Sequence, residues 1–295
     1  TIADPFTEMD DIVAGKNPPK GAALNYWIKS GAKDSSSKDS VTITIANAAG
    51  TLVRTLRAPA KSGLNRTFWD LKSEKTKAAT IRASPVYEEW FEVEEAGKDA
   101  PGIGRYAVLE PPGTYTVTLE YAGTRESQPL VILKDPASGG SEQAIATQMQ
   151  TQAGIVADID DAVTQINSLE MVRGQLASLE ELSGKDSTLV DVKKASEELS
   201  EKLVGIEKQL YQMQTTGRGQ DNVRWPVQVA EQLLYLAESV GGSDYAPTAS
   251  QQEVAQELHA RLVKIRAQVD ALLKQDVPAF NERLRGRSVH PIVSS

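Results

Sequence analysis

His259 and His290 are the only imidazoles in a chain of 295 residues that contains no cysteine. General-base and thiolate chemistry therefore starts with few candidates. His259 follows the apolar Leu258 in a helical pattern with Arg261 close by, which reads as a solvated or boundary histidine. His290 lies in the polar tail Arg287-Ser288-Val289-His290-Pro291 and has no His-x-x-x-His partner or carboxylate at ligand spacing, so no zinc site is expected. Glu88-Glu89 and Glu94-Glu95 offer the residue types of a glycosidase pair, yet neighbours in a strand point to opposite faces. Asp158, Asp160 and Asp161 lack the glycine and terminal glutamate of a calcium loop and fall inside a helical pattern. Gly102-Ile103-Gly104 is followed neither by a third glycine nor by Lys-Ser/Thr, as a phosphate loop requires. No nucleophile, base and orienting group can be named together, so the expectation is no enzyme, no cofactor and no metal.

Bulk composition narrows the classes further. With 32 Lys and Arg against 40 Asp and Glu, the net charge of -8 disfavours a nucleic-acid groove, which depends on cations meeting phosphates. No apolar run approaches the roughly 20 residues of a membrane-crossing helix, so no direct membrane span is expected. The length suits roughly two domains. The chain opens on Thr1 with no signal-like apolar run, which reads as a mature or trimmed chain.

The elements fall into two halves. From Leu24 to Pro136 short alternating runs are divided by turn residues at sandwich spacing. Ala22 to Lys29 is expected as a strand, and Val41, Ile43 and Ile45 alternate with Thr42 and Thr44, which predicts a second. Asn47-Ala48-Ala49-Gly50 turns that strand into Thr51 to Arg57. Gly113 to Tyr121, the turn Ala122-Gly123-Thr124 and Gln128 to Lys134 make the clearest hairpin.

After the linker Asp135-Pro136-Ala137-Ser138-Gly139-Gly140 the period changes to about 3.5. Ile145, Met149, Gln152, Val156, Ile159, Val163, Ile166, Leu169, Val172, Leu176 and Leu179 draw one stripe. A second helix carries Val192, Leu199, Leu203, Ile206, Leu210 and Met213. A third has Pro226 as an early helical residue before Val229, Leu233 and Leu236. The fourth begins at Thr248 with Gln251, or Ser250 with Glu253, as a capping box.

The expected fold is therefore α+β and multidomain. An extended N-terminal arm covers 1–21, an Ig- or fibronectin-like β-sandwich 22–136 with an insertion at about 72–101, an antiparallel, mostly four-helix bundle 141–286, and a tail 287–295. Residues 1–135 hold 17 Lys and Arg against 18 Asp and Glu, and the remainder 15 against 22, so the acidity sits on the helical half. Its bland reading is a solvated helix face.

Aromatics are 5% of the chain, yet Tyr87-Glu88-Glu89-Trp90-Phe91-Glu92-Val93 gathers three of them among acids. Such a cluster either packs onto the chain's own sheet or forms an interface hot spot. Phe6, Tyr87, Trp90 and Phe91 are the candidate protein-interface residues.

Asn17-Pro18-Pro19-Lys20-Gly21-Ala22, Gly63-Leu64-Asn65-Arg66-Thr67-Phe68-Trp69-Asp70-Leu71, Pro111-Pro112-Gly113-Thr114-Tyr115-Thr116-Val117 and Gln128-Pro129-Leu130 occur in an order that resembles the region after the propeller in secreted bacterial sortilin-like, BNR-repeat proteins. Pro226-Val227-Gln228, Ala246-Pro247-Thr248 and Asp276-Val277-Pro278-Ala279-Phe280-Asn281 extend the resemblance into the helical half. It implies a fibronectin- or FlgD-type sandwich followed by helices, and an extracytoplasmic location, periplasmic or secreted. The propeller and its Ser-x-Asp-x-Gly-x-x-Trp boxes are absent from this sequence, so no sialidase-like residue carries over. On physical grounds Gly113 suits a tight turn of positive φ, Tyr115 can cover the sandwich end, and Trp69 can anchor a strand edge. The functional expectation is a non-catalytic structural subunit docking on protein partners in a larger assembly, on the outer face of a membrane complex. The alternative is a glycan-binding accessory module of a propeller protein, with Trp27, Trp69 and Trp90 as its platform.

Overall fold

The computed structural model describes residues 19–29, 40–84, 93–94, 96–100, 102–183, 189–214, 225–285, 287 and 289–294. Over these the chain is α+β, with antiparallel sheets and helices. It divides into two compact units, the first drawn from Thr1–Lys75, Ala107–Met149 and Gly241–Ala246, the second from Thr76–Tyr106, Gln150–Val240 and Pro247–Ser295. The strands are β1 (Ala22–Ile28), β2 (Ser40–Ala46), β3 (Leu52–Pro59), β4 (Gly63–Trp69), β5 (Thr80–Ile81), β6 (Lys98–Asp99), β7 (Gly113–Tyr121) and β8 (Thr124–Ile132).

In the first unit β1 pairs with β4, and the larger sheet has the order β3-β2-β7-β8. Period-two alternation sets the inward face: Val41, Ile43 and Ile45 of β2 are buried while Thr42 and Thr44 are only half-buried. Those side chains share one apolar cluster with Ile28, Val53, Trp69 and Tyr115, so residues of both sheets meet in a single core. The β2–β3 turn is closed by Asn47, whose Oδ1 accepts from the amides of Ala49 and Thr51 at 3.0 Å each. At the β7–β8 turn Ala122 and Gly123 both have positive φ, 48° and 81°, matching the right-handed twist of the flanking strands.

Three details differ from the sequence pattern. Strand β8 begins at Thr124 rather than near Gln128, because Thr124 to Pro129 are all exposed and leave no alternation to read. Gly113 does not take a positive φ; it opens β7 opposite Ile132. The conformation only glycine tolerates lies instead at Gly21, φ 100°, where a Cβ would fall 2.0 Å from the carbonyl oxygen of Trp69.

The helices are α1 (Glu142–Ser183), α2 (Val190–Leu210), α3 (Val229–Gly241), α4 (Ala249–Ala271) and α5 (Val277–Leu284); the second unit takes α1 from Gln150, α3 as far as Val240, and the whole of α2, α4 and α5. The stripe of α1, from Ile155 through Ile159, Val163, Ile166, Leu169, Val172 and Leu176, is buried along its length. It shares one cluster with Leu199 and Leu203 of α2, Leu233 of α3, Leu262 and Val269 of α4, and Phe280 of α5. Thr248 caps α4 through a complete capping box with Gln251, one of the two pairings the sequence offered. Pro226 precedes α3 instead of opening it, and its carbonyl accepts from the side-chain amides of Gln212 and Gln228. Leu272–Asp276 form a π-helical turn between α4 and α5. Pro278 supplies the reason: it has no N–H for a carbonyl one turn back, and a widened turn takes up the mismatch.

The stretch expected as an insertion at about 72–101 lies for the most part outside the first unit. Residues Thr76–Tyr106 belong to the helical unit. Ala79, Ile81, Ala100 and Ile103 are buried in its core, and β5 pairs with β6 as a two-stranded ribbon. The excursion leaves and returns at one point: the amide of Thr76 donates to the carbonyl of Tyr106 at 2.7 Å, and the amide of Tyr106 to Thr76 Oγ1 at 2.9 Å.

Candidate functional site

Helix α1 carries a second pattern on a face beside its apolar stripe. Asp160, Thr164, Asn167 and Glu170 follow one another by four, three and three residues, which stacks them along one side of the helix. Each receives a group from the extended chain between Thr76 and Ser84. Asp160 Oδ1 accepts the amide of Lys77 at 2.7 Å, and Thr164 Oγ1 accepts Lys77 Nζ at 2.7 Å. Asn167 works in both directions, accepting the amide of Thr80 at 2.8 Å and donating to the carbonyl of Ala78 at 3.0 Å. Glu170 Oε2 accepts the amides of Arg82 at 2.5 Å and Ala83 at 3.1 Å. One turn on, Gly174 lets the chain approach, since a Cβ there would sit 3.0 Å from Cβ of Arg82. Lacking a full sheet partner for these amides, the chain satisfies them with helix side chains.

Farther along α1 the device recurs. Gln175 accepts the amide of Val293 at 2.8 Å and donates to its carbonyl at 2.7 Å, while Asn281 of α5 holds Ile292 by the same two-way pairing. A groove of about 1110 Å³ runs here, lined by Arg82, Glu94, Gly174, Gln175, His290 and Val293 among others.

Below this face lies a sealed ionic cluster. Glu170, Arg173 and Glu207 are 0%, 4% and 0% exposed. Arg173 Nη1 donates to Glu170 Oε1 and, at 2.8 Å, to Glu207 Oε2, while Nη2 reaches the carbonyl of Ser84 at 3.4 Å. Arg173 Nε and Glu207 Oε1 remain without a hydrogen-bond partner. Two carboxylates here share one guanidinium. Burial drives the Glu207 carboxyl well above the ordinary glutamate range; Arg173 opposes this and the neighbouring Glu170 reinforces it. Burial also raises the Tyr211 hydroxyl, with Glu207 and Glu170 adding to the effect. A buried carboxyl raised above its ordinary range suits acid–base work in principle, but no substrate reaches side chains without solvent exposure. What the cluster does is lock α1, α2 and the chain at Ser84 in one register.

Elsewhere several titratable groups are paired structurally. His259 Nδ1 lies 2.8 Å from Asp158 Oδ1 with the imidazole exposed, as a boundary histidine should. Asp161 meets Gln165 and Arg266. Glu231 accepts the amides of Gln212 at 2.7 Å and Gln228 at 2.9 Å; burial raises its carboxyl and those bonds pull it back. Among the described residues no three His, Asp or Glu side chains gather where they could hold a metal ion, and no helix is long and apolar enough to cross a membrane.

Of the residues singled out by sequence, Phe6, Tyr87, Trp90 and Phe91 lie outside the described residues, as do Glu88, Glu89 and Glu95. Trp27 is exposed on β1, at 69%. Trp69 is fully buried, its Nε1 donating to the carbonyl of Lys72 at 2.9 Å, so it is no glycan platform. Its strand-anchoring role stands. The pattern missed Glu170, Arg173 and Glu207, although one signal was present: Glu207 occupies an apolar-stripe position of α2, between Leu203 and Leu210. Comparison of the chain with protein-family models, with curated proteins and with solved structures finds no match.

Proposed function

We propose that this chain is a non-catalytic structural subunit that docks on protein partners in a larger extracytoplasmic assembly, on the outer face of a membrane complex. The observation that carries the reading is the outward face of β1 and β4. Trp27, 69% exposed, stands directly opposite Leu64, 71% exposed, so two large apolar side chains form one solvent-facing pair. Beside them Arg66 Nε donates to Asn25 Oδ1 at 2.7 Å, giving the pair a polar rim. A large aromatic with an aliphatic neighbour and a polar surround is the anatomy of an interface hot spot. Among the described residues, the ionic cluster of Glu170, Arg173 and Glu207 is closed to substrates, which favours binding over catalysis.

For the first unit the reading includes an Ig- or fibronectin-like sandwich, supported by two antiparallel sheets sharing one core. For the second it includes an antiparallel, mostly four-helix bundle, supported by the common apolar cluster of its helices. The location rests on the resemblance to the region after the propeller in secreted BNR-repeat proteins.

Gentle native purification followed by mass spectrometry tests the proposal. Stoichiometric partner proteins that are lost from the Trp27→Ser variant are the expected result, and a chain recovered alone counts against it. The same face supports the second reading, a glycan-binding accessory module, because an exposed indole next to an amide and a guanidinium can stack on and hydrogen-bond a sugar ring. Calorimetric glycan binding abolished by Trp27→Ser would replace the first reading with the second.

A further inference from the structure

Residues 289–293 are held between α1 and α5 as a bound peptide would be. Asn281 of α5 accepts the amide of Ile292 at 2.7 Å and donates to its carbonyl at 2.8 Å. Gln175 of α1 does the same for Val293, at 2.8 Å and 2.7 Å. A carboxamide used in both directions offers one acceptor and one donor, which is what a residue of a neighbouring strand offers. Ile292 turns its main chain to α5 and Val293 turns its own to α1, and that reversal between neighbours is how an extended chain presents its two edges. Gln175 is set in place, since its Nε2 also donates to the carbonyl of Met171 at 2.9 Å.

Little of this recognition reads side chains. Ile292 is buried in the helical core, at 6%, and Val289, three residues earlier, packs against the same core. His290, Pro291 and Val293 are exposed. The site therefore asks for an extended main chain with an N–H and a C=O at two consecutive residues, and for aliphatic side chains at i and i+3. Any chain that meets those terms makes the contacts that 289–293 makes.

The groove of about 1110 Å³ along this segment has apolar surface that the segment leaves open. Met171 is 37% exposed, and Val93 and Leu189 are half-buried. Arg82, Glu94 and Glu181 bring charges of both signs to the lining, so shape rather than net charge selects the occupant. A longer or bulkier extended segment covers Met171 as well and buries more apolar area than 289–293 does. A second copy has no such advantage: it would vacate its own site to fill this one with identical contacts, and association costs it freedom. We infer that Gln175, Asn281 and the pocket of Ile292 form a docking site for an extended segment of a partner protein, aliphatic at i and i+3, which residues 289–293 fill until the partner displaces them.

This inference deepens the proposed subunit role and rests on it for its partner, but its test is separate. The probe is a fluorescein-labelled peptide with the sequence of residues 287–295, titrated by anisotropy against the full chain. Attachment gives the chain's own segment a high effective concentration, so the parent chain should bind the probe weakly. Ile292→Asp ejects that segment and should bind the probe at least about tenfold more tightly, because the site is then vacant. Adding Asn281→Leu to Ile292→Asp should remove the gain, and so should a probe methylated on the nitrogen of its Val293 position. Displacement is read in the parent chain without any substitution. Unlabelled peptide at about millimolar concentration, the range of the tethered competitor, should speed amide exchange at Ile292 and Val293 by about tenfold or more and leave Leu169 unchanged. Equal probe affinity for the parent and Ile292→Asp, binding that survives Asn281→Leu, or exchange indifferent to the peptide overturns the inference. So does a dimer, seen by sedimentation, that Ile292→Asp abolishes, since a second copy is then the occupant. Partner recovery with no probe binding removes this site alone; a chain recovered alone that still binds the probe removes the subunit reading alone.

Discussion

Trp69 meets Tyr115 edge to face, ring centroids 5.4 Å apart and planes at 66°, joining the last residue of β4 to the third residue of β7 in the core of the first unit. The hydroxyl of Tyr115 donates to the carbonyl of Pro111 at 2.8 Å and lies 3.2 Å from Glu110 Oε2. One side chain thus fills the core and ties down the Pro-Pro turn before its own strand. Tyr115→Phe keeps the ring contact and removes the hydroxyl bonds, so an unfolding free energy lowered by about 1 kcal/mol is expected from urea titration. Trp69→Ala removes the ring as well and should cost about 3–5 kcal/mol.

Arg173 and Glu207 give a prediction that depends on pH. The folded Glu207 carboxyl is raised above its unfolded value, so the folded state holds a proton that the unfolded state releases. Its contribution to stability is fully present below the ordinary glutamate value and declines as pH rises toward the folded value. Glutamine is a neutral stand-in for the protonated acid. Urea midpoints at about pH 5 and about pH 8 should therefore fall more for the parent chain than for Glu207→Gln. A parallel fall in both would show that Glu207 does not carry the effect.

Arg173→Leu is the opposite case, because it leaves Glu170 and Glu207 buried without a cation. A loss of about 3–5 kcal/mol is expected at neutral pH. Adding Glu207→Gln to Arg173→Leu should recover part of it, which a double-mutant cycle measures.

Asn167 holds the chain at Ala78 and Thr80 to α1 from both sides. Asn167→Leu keeps the size of the side chain and deletes both bonds, at a cost of about 1–3 kcal/mol for the groups left unpaired. Amide exchange read by NMR should accelerate at Thr80 and Arg82 while remaining slow at Ile43 of β2. Unchanged exchange at Thr80 would mean that the ribbon is held by its apolar side chains alone.

Ala122 occupies a left-handed backbone conformation beside Gly123 in the β7–β8 turn. Asparagine tolerates that conformation better than alanine, so Ala122→Asn should raise stability by about 0.5–1 kcal/mol, visible as an increased Tm.

Local periodicity determined much of this architecture without help from the fold. Val41, Ile43 and Ile45 could only place a buried face on a strand, and the long stripe from Ile145 to Leu179 could only place one on a helix, because burial of apolar area is the dominant favourable term and its spacing is set by backbone geometry. The Thr248–Gln251 cap and the Ala122-Gly123 turn were legible for the same local reason. Which elements share a core was not. Ala79, Ile81 and Ala83 alternate as well as any strand of the first unit, and only the three-dimensional supply of Asp160, Asn167 and Glu170 beside them assigns that segment to the helices. Glu170, Arg173 and Glu207 carry charges that ordinary patterning sends to solvent. A charge becomes tolerable inside only when partners distant in sequence arrive at hydrogen-bond distance, and tertiary structure alone brings Arg173 of α1 to Glu207 of α2.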